Sequence, residues 1–232
     1  MTISGSGIFD GAGANVTSLT KEGNGTLTLS VTSGYSGGTT VSGGTLALGV
    51  DNALPYGSGK GDLRVDGALS LNGHNASING LGGSGTIDNS VAGSYILTVG
   101  NNNATSTFGG AIKNTAGTVS LAKAGTGTLT LSGTNSYTGG TTVSNGLLVI
   151  NRSAALPTGS ILTIGASGSV ELGDSTLNGL AIPLGTSGPA GTLAPQGVAA
   201  DGVHAVPEPG TLALLAAAAA CGFAVWRRRK GI

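Results

Sequence analysis

Few residues in this chain are of the types that do chemistry, and their spacing keeps them apart. The single cysteine, Cys221, lies inside an apolar run. His74 and His204 stand 130 positions apart, so no His/Cys metal spacing exists. Hydrolases and lyases need clustered carboxylates, or a base beside an acid. Residues 1–206 hold six basic against nine acidic residues, a net charge of −3, spread along the chain. Asp62 and Asp66 are close enough to share a cation, but on a glycine-rich loop simple hydration suits them better. Gly80–Gly85 fits the G-x-G-x-x-G dinucleotide pattern, yet no strand–helix–strand context surrounds it. Gly57-Ser58-Gly59-Lys60 begins like a phosphate-binding loop, but position 54 is Leu and Gly61 follows the lysine. Gly82–Asp88 approaches a calcium-binding nonapeptide with its aspartate one residue late and no tandem copy. Five N-x-S/T sequons begin at Asn15, Asn24, Asn75, Asn103 and Asn151, as chance allows in a chain rich in Asn, Ser and Thr. The sequence therefore predicts no catalytic residue, no cofactor and no metal site. Its negative charge also argues against a nucleic-acid partner.

The elements behind these residues are easier to read. Gly supplies 45 of 232 residues, aromatics only 3% and charges 9%. Residues 21–58 and 123–160 align without a gap at an offset of 102, with 23 of 38 positions identical. A repeated supersecondary unit implies a stacked array in which each unit buries its apolar face against the next. Within each copy, Thr-Leu-Thr-Leu alternation sends leucines to one face and hydroxyls to the other. This places Leu27, Leu29, Val41, Leu46, Leu129, Leu131, Val143 and Leu148 inside. Gly-Gly pairs at 37–38 and 139–140 occupy corners. Leu27 to Leu46 is 19 residues and Leu46 to Leu63 is 17, each suited to one coil of a parallel β-solenoid. Short strands with frequent glycine turns also suit an antiparallel sandwich; the repeat favours the solenoid, over residues 1–182.

Gly125–Ile150, GTGTLTLSGTNSYTGGTTVSNGLLVI, resembles the autotransporter-associated β-strand repeat of large exported passenger domains. Tyr35-Ser36 stands in the first copy where Tyr137-Thr138 stands in the second. The resemblance implies a right-handed β-helix and surface exposure, and it implies no specific ligand. A departure from true autotransporters is expected, since the sequence after the repeats leaves no room for a translocator barrel.

From Pro183 the alternation decays among prolines and glycines. Residues 183–205 read as a flexible stalk, or in their first half as an irregular capping coil. Thr211–Trp226 then contains no charge, and Arg227-Arg228-Arg229-Lys230 follow at once. As a helix those 16 residues span roughly 24 Å, short of a hydrocarbon core of about 30 Å. A surface helix with a basic end fits the length. The flanks favour a transmembrane helix over 210–226: the basic cluster marks a cytoplasmic end, Trp226 suits the interface, and arginines can snorkel. Val206-Pro207-Glu208-Pro209, an apolar segment and a terminal Arg cluster closely resemble the PEP-CTERM sorting signal of Gram-negative bacteria. That resemblance, over 206–232, implies recognition by an exosortase, a membrane processing enzyme acting at or near Pro-Glu-Pro. Met1–Gly7 has neither a basic n-region nor an apolar h-region, so a secretion signal is expected upstream.

Together these readings predict an exported structural or adhesive repeat protein. It is anchored in the cytoplasmic membrane before processing and sits afterwards at the cell surface or in the extracellular matrix, where exopolysaccharide is a candidate partner. A β-helix polysaccharide-processing enzyme and a carbohydrate- or ice-binding module are the alternatives.

Overall fold

Leucines at alternate positions, separated by glycine corners, wind the chain into successive parallel turns. The computed structural model describes residues 1–13 and 15–173. The stalk expected at 183–205, the helix expected at 210–226 and the sorting motif all lie outside the described residues.

Strands fall into three stacks. One begins with Leu19–Lys21, Thr39–Val41, Leu63–Val65 and Leu81–Gly82. A parallel bridge from Gly83 to Phe108 continues it through Ser106–Phe108, Thr128–Leu131 and the later halves of Thr141–Ile150 and Leu162–Leu172. The second stack runs Thr2–Ile3, Thr26–Leu29, Thr45–Leu48, Ala68–Ser70, Thr86–Asn89 and Ala111–Asn114. The third holds Ala76–Ile78, Ser94–Val99, Thr118–Lys123 and the earlier halves of the two long strands. Every registered pair is parallel. The result is an all-β parallel solenoid of about eight turns, and the antiparallel sandwich is excluded for this region.

Period-2 alternation explains the core. All eight residues expected inside are buried, Leu27 at 8% exposure being the most open. Register then builds interior rows such as Leu27–Leu46–Leu69–Ile87–Ile112 and Phe108–Leu131–Ile150. Each fully buried aliphatic side chain contributes roughly 1.5–3 kcal/mol through area removed from water.

One expectation about register needs correction. Leu63 does not stack on Leu46; it pairs with Thr39 and Leu81 in the first stack, and Leu69 covers Leu46. The reason is that turn length varies. Registered partners are 18 residues apart at Ala68 and Thr86 but 26 apart at Thr2 and Thr28. The outward rows are mixed in composition. The outward row of the first stack runs Thr20, Thr40, Arg64, Gly82, and beyond the Gly83–Phe108 bridge it continues Thr107, Thr130, Val149, Glu171.

The varying turn length has a further effect on the repeat. Thr26–Leu29 of the first copy lies in the second stack, whereas its counterpart Thr128–Leu131 lies in the first. Likewise Leu19–Lys21 lies in the first stack and Thr118–Lys123 in the third. The second copy is thus turned by one face relative to the first.

Candidate functional site

Among the residues that the two copies share at matching positions, three with polar side-chain groups are buried: a lysine, a tyrosine and a threonine. Each lysine ends a strand on an inward position, where alternation would otherwise place an aliphatic side chain. Lys21 occupies the row Lys21–Val41–Val65, and Lys123 the row Val99–Lys123–Val143. Their exposures are 7% and 0%. The Lys21 ammonium donates to the carbonyls of Glu22 at 2.7 Å, Gly23 at 2.9 Å and Gly43 at 3.1 Å. The Lys123 ammonium repeats the pattern with Ala124 at 2.5 Å, Gly125 at 2.9 Å and Asn145 at 3.2 Å. Three N–H donors meet three carbonyls, two on the lysine's own turn and one on the next coil. No carboxylate pairs with either ammonium among the described residues. Burial alone pulls the Lys123 ammonium below the ordinary lysine value.

The tyrosines lie fourteen residues further on. Tyr35 and Tyr137 are both fully buried, and each hydroxyl lies 2.5 Å from the hydroxyl of a threonine four residues ahead, Thr39 or Thr141. Burial pushes both phenols up to about 12, against a smaller opposing effect of the threonine bond. A polar side chain from the preceding coil clips the residue after each tyrosine. Asp10 Oδ1 accepts from Ser36 N at 2.9 Å, and Asn114 Oδ1 from Thr138 N at 2.8 Å. The Ser36 and Thr17 backbone bonds hold the Asp10 carboxyl below the usual carboxylate range. Such a constellation fastens coil to coil. Its polar atoms face one another, and no buried side-chain nitrogen or oxygen among the described residues lacks a partner.

The motifs weighed from sequence serve the same end. Gly80 N donates to Asp62 Oδ1 at 2.8 Å, and a Cβ at Gly83 would collide with the Val65 carbonyl of the adjacent coil. Glycine is thus used here for close coil packing. Lys60 donates to the Gly34 carbonyl across one turn. Asp62 also accepts from Asn102 Nδ2 at 2.9 Å, while Asp66 is held by Arg64 at 2.6 Å and Ser84 N at 3.2 Å, so the structure does not bring the two carboxylates to one cation. Asp88 accepts from Thr115 N and Oγ1, and His74 contacts Asp51 at 3.1 Å. No group of three or more His, Cys, Asp or Glu side chains converges among the described residues. The motif residues Val206, Pro207, Glu208 and Pro209 and the basic cluster Arg227, Arg228, Arg229 and Lys230 lie outside them. Sequence reasoning missed the buried lysines because a charge reads as solvent-exposed. The signal available was their identity at matched positions of both copies.

Fold and site define a parallel β-solenoid built from a repeated, internally fastened coil pair. Residues 19–48 and 121–150 match the family model of the passenger-associated-transport-repeat, and residues 205–230 match that of the PEP-CTERM protein-sorting motif. The chain therefore carries two repeats of this type, each containing the lysine, tyrosine and threonine described above, and a C-terminal sorting motif. It is 36% identical over 218 residues to the Adhesin BmaC autotransporter of Brucella suis biovar 1 (strain 1330). That match covers 92% of this chain and 6% of the relative's length. No solved structure matches.

Proposed function

We propose that this chain is an exported, surface-displayed repeat protein whose solenoid is a non-catalytic structural or adhesive element delivered by an exosortase. One observation carries the reading: adhesin-like passenger repeats and a sorting motif occur on the same chain. Sorting would follow from the physics of the tail. The run Thr211–Trp226 enters the membrane with Arg227–Lys230 on the cytoplasmic side, because the opposite insertion would put four cations across the membrane. Pro207 and Pro209 keep Glu208 extended and accessible to a membrane-embedded processing enzyme. Contacts with exopolysaccharide or the surface matrix would then fall on the outward hydroxyls and amides of the solenoid.

The test is intact-mass measurement in a host that has an exosortase. The released wild-type protein should lack Arg227–Lys230. Replacing Pro207, Glu208 and Pro209 by alanine should leave an uncleaved form in the membrane fraction. A released wild-type protein that retains Arg227–Lys230 refutes the sorting reading.

A further inference from the structure

Asparagine followed by glycine is the dipeptide most prone to closing on itself. The glycine amide attacks the side-chain carbonyl, and only the absence of a following side chain makes that approach easy. Among the described residues the dipeptide occurs at 24–25, 72–73, 79–80 and 145–146. The structure treats these four differently.

Three are locked. At Asn72-Gly73, the Asn72 amide donates to the Leu48 carbonyl at 2.8 Å and Gly73 N donates to Asn89 Oδ1 at 2.9 Å. Asn79 is 1% exposed; its amide reaches the carbonyls of Gly57, Lys60 and Gly61, and Gly80 N is held by Asp62. Asn145-Gly146 lies within a strand registered with Ser167 and Gly168, and a Cβ on Gly146 would collide with the Gly127 carbonyl of the preceding turn.

The fourth is open. Asn24 and Gly25 are both exposed, and a Cβ built on Gly25 meets nothing within 4 Å. Thr45 N engages the Gly25 carbonyl at 3.1 Å, but neither Gly25 N nor the Asn24 side chain makes a hydrogen bond among the described residues. The turn is nevertheless held in place, because Lys21 grips the carbonyls of Glu22 and Gly23 just before it.

We propose that Asn24 is a site of spontaneous covalent modification, an intramolecular deamidation confined by the fold to this one of the four dipeptides. The Gly25 nitrogen forms a bond to Asn24 Cγ and gives up its proton. The Cγ–Nδ2 bond breaks, and ammonia leaves with that proton. Water then opens the five-membered imide at either carbonyl, giving aspartate or isoaspartate. Either product adds a negative charge to the turn, and isoaspartate also lengthens the main chain by one methylene beside the Lys21 cradle. The second copy cannot follow, since Thr126 stands at the matching position with its N–H donating to Asn103 Oδ1 at 2.9 Å. The modification therefore marks one repeat and spares the other.

The full chain is incubated folded in mildly alkaline buffer, then digested with trypsin. Fragment Glu22–Lys60 reports Asn24, Val65–Lys113 reports Asn72 and Asn79, and Ala124–Arg152 reports Asn145. Fragment Glu22–Lys60 should gain one mass unit at least about tenfold faster than the other two, the equivalent of about 1.4 kcal/mol of barrier. Fragmentation should place the change at Asn24 as mixed aspartate and isoaspartate. In urea the three fragments should converge in rate. N24T should abolish the change in Glu22–Lys60 and leave the unfolding midpoint unmoved. Equal rates in the folded chain, or a gain in Glu22–Lys60 that persists in N24T, overturns the proposal.

Discussion

Raising the pH should unfasten the solenoid through its two buried tyrosines. Tyr35 and Tyr137 have no exposed surface, and burial raises each phenol from 10.0 to about 12. The sign follows from linkage. A pKa raised in the folded state means that the unfolded chain gives up the proton first as pH climbs. The stabilisation is thus complete below about pH 10 and is lost as pH rises through about 12. Two pKa units correspond to roughly 3 kcal/mol for each tyrosine, so the pair withdraws about 5 kcal/mol over that window. The natural control is Tyr137→Phe. At neutral pH it loses the bond to Thr141 and leaves that buried hydroxyl unpartnered, a destabilisation of about 1 kcal/mol. Above pH 10 it no longer carries the alkaline penalty, so its stability should cross that of the wild type and exceed it by about 1–2 kcal/mol near pH 12. Urea unfolding midpoints followed by circular dichroism across this range give both curves. Tyrosinate absorbance of wild type against Tyr35→Phe and Tyr137→Phe isolates the two phenols. The titration of Lys123 is common to wild type and variant and cancels in the difference. Parallel stability curves for wild type and Tyr137→Phe from neutral to strongly alkaline pH refute the reasoning.

Lys123→Met should destabilise the chain by about 2 kcal/mol, since three carbonyls lose a donor at about 1 kcal/mol each while burial of an ammonium is relieved. The same variant should lose a pH effect of opposite sign: with the folded pKa lowered, wild-type stability rises as pH climbs toward 10.5, and the methionine chain should show no such rise from this position. Leu46→Ala removes a fully buried side chain from an interior row and should cost about 2–5 kcal/mol, whereas Thr107→Ala on the outer face should change stability by less than about 0.5 kcal/mol. Thermal unfolding of the two side by side checks the inward and outward assignment.

Alternation made the interior legible. Leu27 and Leu29, or Leu129 and Leu131, could only share a face, and an ungapped repeat of such strands demands stacking. What alternation lacks is any index of which face a strand joins. Leu63 looked like the next rung above Leu46 because the 17-residue spacing between them suits one coil. A turn that ranges from 18 to 26 residues can add or drop corner residues without disturbing the rows, so spacing alone misassigned it. The fastening residues were hidden for a different reason. Lys123 carries a charge, and nothing local reveals that three carbonyls from two coils will surround it. Asn79 is similar: its partners Gly57, Lys60 and Gly61 lie one turn back. Asp62 and Asp66 were visible as acids, but their engagement by Gly80, Asn102, Arg64 and Ser84 depends on register.

The one-face turn between the copies gives the repeat the character of a screw. A unit of 102 residues advances the chain by five turns less one face, so further units of the same length would bring the pattern back to its starting direction only after three. Each copy keeps its own fastening whichever face it begins on, so the fastening does not depend on which stack its strands join. For a partner, the same property means that matching surfaces spiral around the axis. The equivalent strands of the two copies therefore lie one face apart around the axis, not in line along it.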